Sequence, residues 1–167
     1  MRKGIYAEKG FTLIEIIMTL ILVGIMAVLG GMLIVSVVEG YLFARANAST
    51  VQKAQLAMAR LTKELTAISS VTSSSAGQIT YVRPDSSLNP QTITVSLNGD
   101  ELQIDGSALT DSVHAFELAY CDHPDDPSAS CSSTWQSTSK IIEITLTISG
   151  ASEVNSEFKK RISPRNM

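Results

Sequence analysis

Cys121 and Cys131 are the only cysteines of the chain, and the nine residues between them include Asp122, His123, Pro124, Asp125, Asp126 and Pro127. Three chemistries suit that set. In an oxidising compartment an even thiol count reads first as a disulfide, and closing this loop would contribute about 2.5 to 3 kcal/mol through chain entropy. Zinc would take both thiolates but needs two more good ligands, and His123 is the obvious candidate. Asp122, Asp125 and Asp126 offer the hard oxygens calcium prefers, but without EF-hand spacing they read first as a solvated acidic loop and only second as calcium ligands. Catalysis has little footing. His114 and His123 sit among many serines, yet no nucleophile elbow surrounds any serine and no glycine-rich phosphate loop is present.

A second chemical feature lies at the other end of the chain, in Gly10-Phe11-Thr12-Leu13-Ile14-Glu15. A secretory signal places its apolar stretch before the cut and discards it. Here the natural cut, after Gly10, precedes the apolar stretch, so the mature chain would begin at Phe11 and keep that stretch. Glu15 sits at its mouth. An acidic side chain carried to the middle of such a stretch costs about 2.5 to 3.5 kcal/mol on insertion scales, and one near it calls for a partner. The amine created at Phe11 is the partner at hand; snorkelling to the interface is the alternative.

The elements that must carry these groups follow from the hydropathy pattern. From Ile16 to Val38 there is no charged residue, a span of 23 positions that covers a hydrocarbon core of about 30 Å as a helix. Arg2, Lys3 and Lys9 against Glu8 make the leader positive, which keeps it cytoplasmic and sends the remainder outward. A signal-peptidase site at Ala44-Arg45-Ala46 would release a soluble domain, but the apolar run is too long for a secretory signal. An unprocessed anchor leaves the Gly10 to Glu15 pattern without a reason. Ala27 and Gly31 have small-xxx-small spacing, with Gly24 near the same face, and suit close helix packing in lipid.

Beyond the span, Val51, Ala54, Met58, Leu61, Leu65 and Ile68 form one apolar stripe at helical spacing, which predicts a helix continuing to about Ser70 and packed on a sheet. Ser69 to Gly77 reads as helix end and linker. Strands are predicted over 78–83, 92–97, 101–104, 115–120, 140–148 and 157–162, with Asn98-Gly99-Asp100 as a hairpin turn. The fold class is α+β: a long N-terminal helix on a mainly antiparallel sheet domain. Its divisions are a leader over 1–10, a membrane and assembly half of the helix over 11–38, an amphipathic half over 39–70, and a β-rich domain over 71–167 with a disulfide loop over 121–131.

The Gly10 to Glu15 junction with its following apolar helix resembles the class III leader of type IV prepilins and of type II secretion pseudopilins. The scattered blocks Leu56–Leu65, Thr110–Tyr120 and Phe158–Asn166 look most like PilW-type minor pilins and J-type minor pseudopilins. The resemblance implies cleavage after Gly10 by a prepilin peptidase, methylation of Phe11, and pairing of Glu15 with the N-terminus of a neighbouring subunit. It implies a minor pilin or minor pseudopilin, not an enzyme, that joins a filament tip complex and helps initiate assembly of a type IV pilus or pseudopilus. Its implied partners are other minor subunits, the major subunit, an inner-membrane assembly platform and membrane lipid. The implied location is the bacterial inner membrane, single-pass, then the filament tip. Some pseudopilins bind calcium, which keeps Asp122, Asp125 and Asp126 in view; no other cofactor is implied. Where the family often has a proline after the glycines, this chain has Met32. The alternative is a filament-displayed adhesin or substrate-recognition subunit. Nucleic acid is not an expected partner: the formal charge is −3, about −5 without the leader, and the basic residues gather only at Lys159, Lys160 and Arg161.

Overall fold

The computed structural model describes residues 10–84, 90–123, 131–165 and 167. The leader, apart from Gly10, therefore lies outside the described residues. The chain divides into two compact units, residues 1–42 and 43–167, and one helix, α1 (Leu13–Thr66, 54 residues), contributes to both.

In the first unit α1 has no core of its own. Its most apolar 18-residue window has a mean hydropathy of 2.8 and no buried residue, so the helix is long and apolar enough to cross a membrane. It runs unbroken through Gly30 and Gly31. The Thr19 hydroxyl donates back to the Ile16 carbonyl at 2.9 Å, which hides its polarity within the helix.

The second unit is built on the distal half of α1. Ala54, Ala57, Met58, Leu61 and Leu65 are buried at spacings of three and four, and Ile68 joins them just past the helix end. This is the predicted stripe, with Ala57 added and Val51 only half-buried. It meets two antiparallel sheets. The first is a meander of β1 (Ser70–Ser74), β2 (Gln78–Arg83), β3 (Gln91–Asn98), β4 (Glu101–Ile104) and β5 (Ser107–Thr110). The second runs in the order β7 (Cys131–Ser132), β6 (Val113–Cys121), β8 (Ile141–Ser149), β9 (Asn155–Ile162). Strand alternation sends Ile142, Ile144, Leu146 and Ile148 of β8 into the same core as Ile79, Tyr81 and Val95 of the first sheet. Each such aliphatic side chain contributes about 1.5 to 3 kcal/mol on leaving water.

Several features depart from expectation. The single predicted sheet is two. The helix ends at Thr66, four residues early, where the Thr62 and Thr66 hydroxyls fold back onto the Met58 and Thr62 carbonyls at 2.6 Å each. The backbone N–H of Arg165 then donates to the Thr66 carbonyl at 3.0 Å, satisfying one of the acceptors a helix end leaves over. The expected linker contains β1, because Ser69 donates both its N–H and its hydroxyl to the Val82 carbonyl at 2.9 Å and sets the register Ser70↔Val82. Two-residue turns make both later hairpins. Gly99 takes a positive φ of 64° between β3 and β4, and Asp105-Gly106, with φ of 51° and 74°, supplies the pair of left-handed positions of a type I′ turn between β4 and β5.

Candidate functional site

At the start of α1 the Thr12 carbonyl accepts from the Glu15 N–H at 3.1 Å and from the Ile16 N–H at 3.3 Å, so Glu15 falls in the first helical turn. A carboxylate there faces the positive end of the helix dipole. Thr12 and Glu15 also have the spacing of a capping box, a signal in the sequence that the membrane argument alone passes over. Glu15 makes no ion pair among the described residues. Gly10 is exposed, with no atom within 4 Å of where a Cβ would lie, and Phe11 is 78% exposed. The Gly10–Phe11 bond is thus unsheltered, and a cut there would leave its new amine two residues ahead of the helix.

In the second unit Cys121 and Cys131 are joined, with S–S at 2.00 Å and Cα–Cα at 4.3 Å. They face one another in the register of β6 and β7. Because both sulfurs are in the bond, neither is a thiolate for zinc. On the neighbouring residue the Tyr120 ring meets Trp135 edge to face, centroids 5.8 Å apart, while the Tyr120 hydroxyl donates to the Ser75 carbonyl at 3.2 Å. Leu118 N–H donates to the Ala76 carbonyl at 2.6 Å and Trp135 N–H to the Ser74 hydroxyl at 2.7 Å, so the β1–β2 turn binds the second sheet to the first. Asp122 is half-buried at the strand end. Asp125 and Asp126 lie outside the described residues, among which no group of three His, Cys, Asp or Glu side chains could hold a metal ion.

The basic cluster lies on β9, an edge strand. Lys159 and Arg161 both reach Glu143 on β8, at 2.7 Å each. Burial pushes the Glu143 carboxyl up, but hydrogen bonds and charge from Lys159 and Arg161 outweigh it and hold the group below its ordinary range. Two of the three cations are therefore tied to the sheet that carries them. Lys160 alternates to the opposite face and stays exposed at the edge, a placement that discourages further strand pairing.

Sequence reasoning did not foresee the ion pair of Arg83 Nη1 with Glu64 at 2.6 Å. It joins the end of β2 to α1 across 19 positions, and only the packing of helix on sheet brings the two together. No family model matches this chain, and no curated protein matches it.

Proposed function

We propose that the chain is a minor subunit of a type IV pilus or type II secretion pseudopilus, cut after Gly10 and retained in the membrane by α1 until it enters the filament. The observation that carries this reading is the junction itself. A polar leader ends at an unsheltered Gly10–Phe11 bond, the helix begins at once, and its only early charge, Glu15, lies in the first turn.

The chemistry follows from what the first unit lacks. Residues Leu13 to Leu42 are almost wholly uncovered within the chain, so lipid or the helices of neighbouring subunits must cover them. In a filament, Gly24, Ala27 and Gly31 allow close helix approach. Glu15, costly in an apolar surrounding, recovers its charge by pairing with the Phe11 amine of a neighbour. The disulfide-closed domain stays outside the membrane, in agreement with a bond that needs an oxidising compartment.

N-terminal mass spectrometry on the protein from cells with active prepilin peptidase tests the first step, and an N-methylated Phe11 is expected. An intact Met1 or a start at Asn47 would overturn it. Deleting the gene and assaying surface filaments and exported proteins together tests the second step. Loss of either supports an assembly role, whereas normal filaments that no longer bind their target would favour the adhesin reading.

A further inference from the structure

A cavity of about 460 Å³ opens in the second unit between the loop that follows β7 and the segment that follows β9. Trp135, Pro164 and Met167 give it apolar surface, Ser137, Ser139 and Ser163 line it with hydroxyl-bearing side chains, and Lys140 is its single charged side chain. The fold holds both walls. Trp135 donates its backbone N–H to Ser74 Oγ at 2.7 Å, and its ring meets the buried Tyr120 edge to face with centroids 5.8 Å apart. Gln136 and Ser139 close a turn on each other: the Gln136 N–H donates to Ser139 Oγ at 3.1 Å and the Ser139 N–H to the Gln136 carbonyl at 2.9 Å. Lys140 follows, its N–H bound to the Cys121 carbonyl at 2.9 Å. On the other side Ile162 pairs with Ile142, and the Arg165 N–H reaches the Thr66 carbonyl at 3.0 Å, so Ser163 and Pro164 are tethered at both ends. A guest would meet a site already formed, with little ordering cost.

The lining combines three kinds of group. Trp135 offers an aromatic surface, whose negative face attracts polarised C–H groups. Serine hydroxyls both donate and accept. No aspartate or glutamate lines the cavity, and Lys140 makes no ion pair among the described residues, so the side chains of the wall carry one net positive charge. A pyranose ring answers the first two, because it carries C–H groups on a face and hydroxyls around its rim. A carboxylate on that ring answers the third. Nucleic acid would also stack on tryptophan, but it needs a track of cations, and here there is one in a chain of formal charge −3. A polyproline segment docks on aromatic-lined grooves, and Trp135 is the lone aromatic of this lining. The volume lies in the range of small-ligand sites.

We propose that this cavity binds a pyranose sugar bearing a carboxylate, with Trp135 as its stacking surface, the serine hydroxyls on its rim and Lys140 as its counter-charge. The inference does not depend on the filament reading and would hold for any role of the domain.

Trp135 is the only tryptophan of the chain, so its emission reports on this cavity alone. The test uses the full chain in phosphatidylcholine vesicles, titrated with methyl β-glucuronide. A saturable change in emission is expected, and methyl β-glucoside should bind about threefold more weakly, the effect of one exposed ion pair. Lys140 is exposed, so Lys140→Gln keeps the fold; it should abolish the preference for the glucuronide and leave the affinity for the glucoside unchanged. Trp135→Leu, followed by ligand-detected NMR, should lose saturable binding, with an intact disulfide and parental protease resistance showing that it is folded. The Lys140→Gln comparison decides without it should that variant unfold. Sodium acetate at the same concentration should not compete. Absence of a saturable response, a preference that persists in Lys140→Gln, full binding by folded Trp135→Leu, or competition by acetate would each overturn the proposal. Tighter binding of a thymidine dinucleotide or of a tetraproline peptide than of the glucuronide would also overturn it, in favour of nucleic acid or a proline-rich partner.

Discussion

Asn47 Oδ1 on α1 accepts the Ala151 N–H at 3.0 Å, across 104 positions of sequence. The contact depends on the residue before it. A Cβ on Gly150 would fall on Asn47 Oδ1 and lie 3.2 Å from the Val154 carbonyl oxygen, so glycine is needed there for space. Gly150→Ala and Asn47→Ala should each destabilise the second unit by about 1 kcal/mol, the value of one hydrogen bond. Because both act on one contact, the double variant should lose less than the sum. Denaturant unfolding of the detergent-solubilised chain measures this, and strict additivity would show that the two positions act separately.

Glu143 should make stability depend on acid pH. Its carboxyl is held below the ordinary 4.5 in the folded protein, since the bonds from Lys159 and Arg161 overcome the upward push of burial. A group depressed on folding stabilises above its unfolded pKa, and that stability is lost as pH falls through the folded one. Unfolding midpoints should therefore drop below pH 4.5, and Glu143→Gln should flatten part of the drop while costing about 1 to 2 kcal/mol at neutral pH. Asp111, depressed chiefly by its hydrogen bond from Lys53, should sustain the remainder. An unaltered pH profile in Glu143→Gln would assign the acid sensitivity elsewhere.

Replacing Cys121 and Cys131 together with serine should lower the stability of the second unit by about 2 to 3 kcal/mol. The loss should appear as faster proteolysis of the segment after Tyr120, with processing at Gly10 unchanged. Peptide mapping under alkylating, non-reducing conditions checks the starting point: free thiols in protein taken from the cell envelope would contradict the oxidised pair.

At the helix start, Glu15→Gln and Glu15→Ala separate two roles. Glutamine keeps the capping-box function but not the charge, and alanine keeps neither. If pairing with a neighbouring amine drives assembly, both variants should insert in the membrane at least as well as the parent while crosslinking far less to partner subunits. Loss confined to Glu15→Ala would point to helix capping. Gly10 replaced by a bulky residue should block processing altogether, read as an unshifted mass.

How much of this could be read from residues alone depends on where the ordering force comes from. The stripe from Ala54 to Leu65 is legible because helical period and burial coincide, and the β3–β4 hairpin because Gly99 punctuates two alternating runs. β1 is not legible: Ser70–Ser74 has no apolar alternation, and its ladder is imposed by β2 and by Ser69. The Asp105-Gly106 turn has a clear local signal, an Asp-Gly pair between two short strands. The division into two sheets follows from which strands share hydrogen bonds, a matter of long-range pairing. Among the site residues, Gly10, Phe11 and Glu15 stand out locally, as do the cysteines. The pairing of Arg83 with Glu64 exists only after α1 has packed.

The bond from Arg165 to Thr66 also bears on how the protein can be handled. It fastens the segment that follows β9 to the end of α1. A fluorophore or other bulky group attached beside Arg165 would therefore tug at the helix end, and a flexible spacer is required before any such addition. The same tether makes the segment around Arg165 a sensor: a solvatochromic dye placed there would report release of the helix end at Thr66.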